Sequence, residues 1–191
     1  MILVQKIICD LINENCYIVY DNNSFDAVII DPGSNYDDII SFVKENKLNI
    51  KAILLTHGHF DHTMSCSKLQ KLGYSVYISK DDAYMCAGAE FNFAIDNNVE
   101  FSSFTPDYLI QNEENLNFGS LNIKIIKTPG HSKGGLSYVI DDNLFTGDTL
   151  FAHGYGRTDL KGGNFREILS SIKILREYVK QGYNLYSGHN Y

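Results

Sequence analysis

No stretch of this sequence holds the ~18 to 20 consecutive apolar residues that a membrane-spanning helix needs. Met1 to Tyr20, where the core of a signal peptide would lie, is interrupted by Gln5, Lys6, Asp10, Asn13 and Glu14. Both absences predict a protein that is neither inserted in a membrane nor exported. Cysteine is sparse: Cys9, Cys16, Cys66 and Cys86 form no CxxC pair and stand among apolar or helical neighbours, as reduced core thiols do. Thiolate metal ligation is therefore not indicated, and the reducing cytoplasm is the expected location. Positive charge is scarce too, with 16 Lys and Arg against 23 Asp and Glu and a formal net charge of −7. General binding to nucleic acid, which needs a local excess of Lys and Arg, is thereby disfavoured. Solenoid-length repeats and low-complexity linkers are missing as well.

What remains is a chain of 191 residues, 44% hydrophobic and 20% charged, enough for one well-buried core and too short for a second of ordinary size. A single domain over 1–191 is expected. Ile2–Cys9, Cys16–Tyr20 and Ala27–Ile30, rich in Ile, Val and Tyr, read as a meander of three strands. Asp31-Pro32-Gly33 is a turn, and Ile39, Ile40 and Val43 then share a helical face ending near Asn46. Ala52–Leu55 is a strand, and a helix over Thr63–Leu72 with Gly73 as its stop is expected to follow the His-rich segment. Segment 80–114 carries a short helix near Asp81–Ala87 and then Phe91, Phe93, Phe101, Phe104 and Tyr108. It reads either as a partly helical lid beside a site or as an excursion whose aromatics pack into the core. Strands at Leu121–Lys127, Leu136–Ile140 and Leu144–Thr146 resume the β pattern. A helix over Asn164–Lys180 opens with a capping-box pair, Asn164 and Glu167, before a last strand at Tyr183–Tyr186.

Four times an apolar strand runs into a loop that joins glycine to a metal-capable side chain: His57-Gly58-His59, Pro129-Gly130-His131, Gly147-Asp148 and Gly188-His189. In layered α/β proteins, sites collect at the carboxyl ends of strands, where loops converge over the sheet edge. His57, His59, Asp61 and His62 place three imidazoles and a carboxylate within six residues. Were that stretch extended, His57, His59 and Asp61 would face one way and His62 another, so one segment could feed two metal positions. Imidazole and carboxylate suit zinc, and also iron or manganese. The bland alternative, a surface loop binding metal adventitiously, fits poorly with three later ligand loops. His153 stands apart, either lining a pocket or merely solvated.

The sequence His57-x-His59-x-Asp61-His62, with Thr-Pro-Gly-His131, Thr-Gly-Asp148-Thr and Ser-Gly-His189, resembles the metallo-β-lactamase superfamily and, within it, the glyoxalase II-like branch. The resemblance extends over Asn15-Cys16-Tyr17, Asp31-Pro32-Gly33, Gly147-Asp148-Thr149-Leu150-Phe151 and Gly156-Arg157-Thr158-Asp159. It implies an α/β fold, a four-layer αββα sandwich of two mixed sheets flanked by helices. It implies two divalent metal ions, zinc before iron or manganese: His57, His59 and His131 on the first, Asp61, His62 and His189 on the second, Asp148 bridging both. Asp61 and Asp148 are then the catalytic carboxylates. Arg157 would meet an anionic substrate, or else pair locally with Asp159 and stiffen its loop; His153 and Tyr155 join Arg157 as substrate contacts. Thioester hydrolases of the larger type carry a helical C-terminal domain that helps bind glutathione, and the sequence ending at Tyr191 resembles the single-domain type.

The expected reaction is hydrolysis of a small-molecule thioester, hydroxyacylglutathione-like or of a related small thiol, by a metal-bridging hydroxide. Metal coordination lowers the pKa of water from about 15.7 to about 7, on the order of 12 kcal/mol of differential stabilisation at ~1.36 kcal/mol per unit. Within the same scaffold the alternatives are a persulfide dioxygenase, with one iron on residues matching His57, His131 and Asp148, and a lactonase. A non-catalytic metal store is the alternative from another class. No nucleic-acid or membrane partner is expected.

Overall fold

A computed structural model describes residues 1–191. Strands β1 (Ile2–Ile8), β2 (Asn15–Asp21) and β3 (Asp26–Ile30) form the expected meander, antiparallel throughout, with Val19 opposite both Val4 and Val28. Helix α1 (Tyr36–Glu45) crosses over to β4 (Asn49–Leu54), which pairs parallel to β3 with Ile29 beside Ile53. Strands β5 (Val76–Ser79) and β6 (Tyr108–Ile110) extend this six-stranded sheet in parallel. The second sheet has five strands: β7 (Asn115–Phe118), β8 (Leu121–Lys127), β9 (Leu136–Ile140), β10 (Asn143–Gly147) and β11 (Asn184–Ser187). β7 to β10 are antiparallel, and α4 (Phe165–Lys180) carries the chain back so that β11 joins β10 in parallel.

Strand alternation explains the layering. Val19, Val28, Ile30 and Leu54 turn inward onto Ile123, Ile125, Tyr138 and Phe145 of the facing sheet, the central seam. Their neighbours Ile18, Ile29 and Ile53 turn outward onto Ile39, Ile40 and Val43 of α1. On the other outer face, Ile126, Val139 and Leu144 pack against Ile168, Ile172 and Leu175 of α4. Both faces of each sheet are covered by apolar side chains, so the central strands read as continuous hydrophobic runs. Each fully buried Ile or Leu contributes about 1.5–3 kcal/mol. The result is the αββα sandwich, and none of its helices is long and apolar enough to cross a membrane.

Several expectations are corrected. The helix placed over Thr63–Leu72 begins earlier and is broken in two, α2 (Phe60–Thr63) and α3 (Cys66–Gln70). β5, β6 and β7, of four, three and four residues, are strands that the periodicity did not reveal. The short helix expected near Asp81–Ala87 is a 3-10 helix over Ala83–Ala87.

Candidate metal centre

The ligand-bearing loops leave the carboxyl ends of β3, β4, β8, β10 and β11 at one edge of the sandwich. Asp31 caps β3 with φ 49, a left-handed conformation that Asp tolerates. Its Oδ1 accepts from the Thr56 backbone N–H at 2.7 Å and its Oδ2 from the Thr56 hydroxyl at 2.6 Å, tying the β3 loop to the β4 loop that carries His57. The β11 loop is clamped from the N-terminus: the Tyr17 hydroxyl donates to Ser187 O at 2.6 Å, Asn15 Nδ2 to the same oxygen at 3.0 Å, and the Asn15 N–H to Gly188 O at 2.7 Å. Asn15-Cys16-Tyr17 thus holds His189 in place. Gly188 is required where it stands, because a Cβ there would overlap the Asp148 carboxylate and lie 2.8 Å from His62 Cε1.

Between His59 and Asp61 the backbone changes from extended to helical: His59 has ψ 151 and Phe60 opens α2. The alternation expected of an extended His57–Asp61 therefore fails, and Asp61 turns toward His62 rather than toward His57 and His59. Two clusters result, His57–His59–His131 and Asp61–His62–His189, with ligand atoms in each within 4.8 Å of one another. In the first, His59 Nδ1 lies 3.0 Å from His131 Nε2. In the second, Asp61 Oδ2 lies 3.5 Å from His62 Nε2 and 3.3 Å from His189 Nε2. Asp148 spans both, its Oδ2 3.5 Å from His131 Nε2 and from His189 Nε2, its Oδ1 3.4 Å from His62 Nε2. Ligands ~2.0–2.1 Å from a tetrahedral zinc stand roughly 3.3 Å apart, which these separations approach.

The opposite ring nitrogens select the inward ones. His131 Nδ1 meets Arg157 O at 2.8 Å, His62 Nδ1 meets Asp31 Oδ2 at 3.0 Å, and His57 Nδ1 meets the Thr56 hydroxyl oxygen at 3.0 Å. Each Nδ1–H donates outward, leaving Nε2 as a lone pair, the second-sphere arrangement that metal-bound histidines use. Accordingly His57 Nε2, His62 Nε2 and Asp148 Oδ1 are buried with no hydrogen-bond partner, a cost of about 1–3 kcal/mol each that a cation would relieve. A third cluster, Asp31–His57–His62, also lies close together, but the Asp31 oxygens already accept from Thr56 and His62.

Electrostatics divides the imidazoles. Burial, joined by the like charges of neighbouring imidazoles, holds His57 well below the ordinary range and His59 down to about 3, so both stay neutral. Burial opposes charge on Asp61 and Asp148, yet the His62 imidazole beside them keeps both carboxyls below their usual value. Burial opposes charge on His62 also, and Asp61, Asp148 and Asp31 outweigh it and raise that imidazole.

Above the clusters opens a cavity of about 750 Å³ whose wall includes His59, Asp61, His131, Asp148 and His189. His153, Tyr155 and Arg157 line it as well. Arg157 also makes the alternative contact, a two-pronged pair with Asp159. Segment 80–114 serves as both a wall and a brace. Phe93 stands edge-on to His59 at 5.0 Å and lines the cavity with Asp96 and Asn97, while Met85, Cys86 and Ala94 are buried in the body. Asp82 accepts from the Ser132 hydroxyl at 2.6 Å and the Gly134 N–H at 2.7 Å, bracing the His131 loop.

The structure brings together every candidate ligand named from the sequence; Asp31, Thr56, Asp82 and Glu14 were not named as site residues. Glu14 is fully buried with Oε1 3.7 Å from His62 Nδ1, and burial pushes its carboxyl well up. Only Asp31 had a visible signal, an Asp-Pro-Gly turn closing a strand.

A model of the metallo-beta-lactamase superfamily matches residues 10–188. The chain is 33% identical over 178 residues to the probable polyketide biosynthesis zinc-dependent hydrolase BaeB of Bacillus velezensis, covering 92% of this chain and 72% of that one. It is 31% identical over 181 residues to hydroxyacylglutathione hydrolase GloC of Haemophilus influenzae, covering 92% and 85%. The crystal structure of the B3 metallo-beta-lactamase BLEG-1 superposes with a TM-score of 0.93 at 31% identity, over 99% of this chain and 92% of that one.

Proposed function

The chain belongs to the metallo-beta-lactamase superfamily and is a metal-dependent hydrolase, and from that premise we propose that it cleaves the thioester of a small thiol at a two-metal centre in the cytoplasm. The observation that carries this reading is the meeting of two ligand triads on Asp148 at the foot of a cavity wide enough for a small ester. His57, His59 and His131 would hold one ion, Asp61, His62 and His189 the other, and Asp148 both. Bound there, the metals supply Lewis acidity and a water acidified toward neutral pH.

The chain's own side chains do the remaining work. Asp31, Thr56 and the Arg157 carbonyl fix the imidazoles so that no ligand must reorient. Phe93 and Phe151 wall the cavity beside the ligands. His153, Tyr155 and Arg157 meet the distal half of the substrate. A thiolate departs without prior protonation, so a thioester demands least of a site with no acid pinned beside the ligands. Similarity to a hydroxyacylglutathione hydrolase supports the same class, and four buried free thiols suit a reducing compartment.

The test combines metal analysis of protein purified without added metal with turnover of a lactoyl thioester. We expect two zinc ions per chain, loss of turnover on chelation, and recovery on zinc addition. Asp148→Ala is expected to lose metal and to lower the rate at least about 100-fold. A variant that keeps its metal and hydrolyses as fast as the parent overturns the site. One iron per chain with rapid oxygen uptake on a persulfide favours the dioxygenase instead.

A further inference from the structure

We infer, on the two-metal reading above in which His57, His59 and His131 share an ion, that Asp82 is a positioning residue for that ion, setting the His57-Gly58-His59 turn against the His131 loop. Within this triad His59 is the ligand with no hydrogen-bond anchor of its own. His57 and His131 each turn an outward Nδ1 to a partner. The Nδ1 of His59 lies inward, 3.0 Å from His131 Nε2, and its Nε2 is buried with no hydrogen-bond partner. Its ring meets only other rings edge-on, His57 at 4.5 Å, His131 at 4.7 Å and Phe93 at 5.0 Å. Ring contacts of this kind are weakly directional beside a hydrogen bond, so the place of His59 is set by its backbone.

That backbone is gripped on both sides of His59 by segment 80–114. The Phe60 N–H donates to Asn92 O at 3.2 Å. Gly58 lies so close to the Asp82 turn that a Cβ there would stand 3.0 Å from Asp82 O and 2.7 Å from Met85 Cβ. The Asp82 side chain reaches the other ligand loop: its Oδ2 accepts from the hydroxyl of Ser132, next after His131, at 2.6 Å, and its Oδ1 from the Gly134 N–H at 2.7 Å. A Cβ on Gly134 would lie 2.7 Å from Asp82 Cγ, so this loop too is packed onto the carboxyl. Asp82 stands at the N-cap of the 3-10 helix Ala83–Ala87, where an Asp ordinarily accepts from the N–H groups of its own helix. It makes no such bond. A fully buried carboxyl that forgoes its local cap holds a loop 50 residues away instead. The second triad is held from elsewhere, His62 by Asp31 and the His189 loop by Asn15 and Tyr17. Removing Asp82 should therefore loosen one ion and spare the other.

The experiment reads each metal position alone. His189→Ala disables the second position and His59→Ala the first, and cobalt(II) affinity is measured in each by competition with a chromophoric chelator, with and without Asp82→Ala. We expect Asp82→Ala to weaken the first position about 10- to 100-fold and to leave the second within about twofold. Saturated with cobalt(II), the His189→Ala protein should also show displaced visible bands once Asp82→Ala is added, because an opened ligand spacing changes the field at the ion and a mere loss of fold stability does not. Asp82→Asn should recover most of the affinity, since its amide oxygen can still accept from the Gly134 N–H and its amide nitrogen can donate to the Ser132 oxygen. Should Asp82→Ala not fold, Ser132→Ala removes a single hydrogen bond and is expected to weaken the first position several-fold. Parental affinity at the first position in the folded Asp82→Ala or Ser132→Ala protein, or an equal loss at both positions, overturns the inference. If the affinities fall as expected while the metal-loaded parent leaves lactoyl thioesters uncleaved, the thioesterase reading fails and the role of Asp82 stands.

Discussion

At the residue scale, the imidazoles are sorted by their outward nitrogens. His131 is held by a backbone carbonyl, which no side-chain change can remove, whereas His62 depends on Asp31. Asp31→Asn keeps the shape but loses the charge that receives the His62 N–H. Affinity at the Asp61–His62–His189 position is expected to fall about 10- to 100-fold, and by more than at the first position, which Asp31 reaches only through Thr56. Competition against a chromophoric chelator reads both steps, and parental affinity at both would remove Asp31 from the site. The set of candidate ligands was legible in the sequence because five imidazoles and two carboxylates cluster in loops that follow apolar strands. Their partition into triads was not, since it turns on the backbone bend at His59–Phe60. Asp31 stood in a visible Asp-Pro-Gly turn, but its part in the site was not legible, because it comes from contacts 25 and 31 residues away.

At the element scale, α4 buttresses the loop that presents His131. Asn164 caps it, accepting from the Arg166 N–H at 3.0 Å and the Glu167 N–H at 3.3 Å. The reciprocal half of the expected capping box is not formed: the Asn164 N–H goes to Gly130 O at 2.8 Å, linking the helix start to the ligand loop. A Cβ on Gly130, at φ 133, would collide with the Ile168 backbone, so helix and loop are in direct contact there. Asn164→Ala should cost about 1 kcal/mol of unfolding free energy, read by urea denaturation, with metal stoichiometry unchanged. A variant as stable as the parent would mean that the cap contributes nothing. The long helix was legible because Ile168, Ile172 and Leu175 recur at helical spacing. β5 to β7 are too short for two-residue alternation to stand out, and pairing with neighbours already in place makes them strands.

For the whole molecule, the core buries groups that the unfolded chain would ionise in alkali. Burial raises the phenols of Tyr17 and Tyr138 well above the ordinary range, and both donate to backbone carbonyls at 2.6 Å. It raises the thiols of Cys16 and Cys66 likewise and pushes Cys86 up to about 12. These groups stay protonated when folded and ionise when unfolded. Their stabilisation is therefore complete below the unfolded values, about 8.5 for thiols and about 10 for phenols, and is lost as pH rises toward the folded ones. The slope is about 1.36 kcal/mol per pH unit for each group. Unfolding free energy should fall steeply from about pH 9 to 11, less steeply in Tyr17→Phe; equal urea midpoints at pH 8 and pH 11 would contradict this. By itself, the sequence determined the layered α/β class, the family resemblance and the identity of the metal-capable side chains, because these depend on local periodicity and on which residues follow which strands. Only the tertiary structure decided which imidazole joins which triad, that Asp31 and Thr56 aim them, and that Arg157 pairs with Asp159. Those relations are distances between loops far apart in the chain, fixed when two sheets pack and bring their strand ends to one edge.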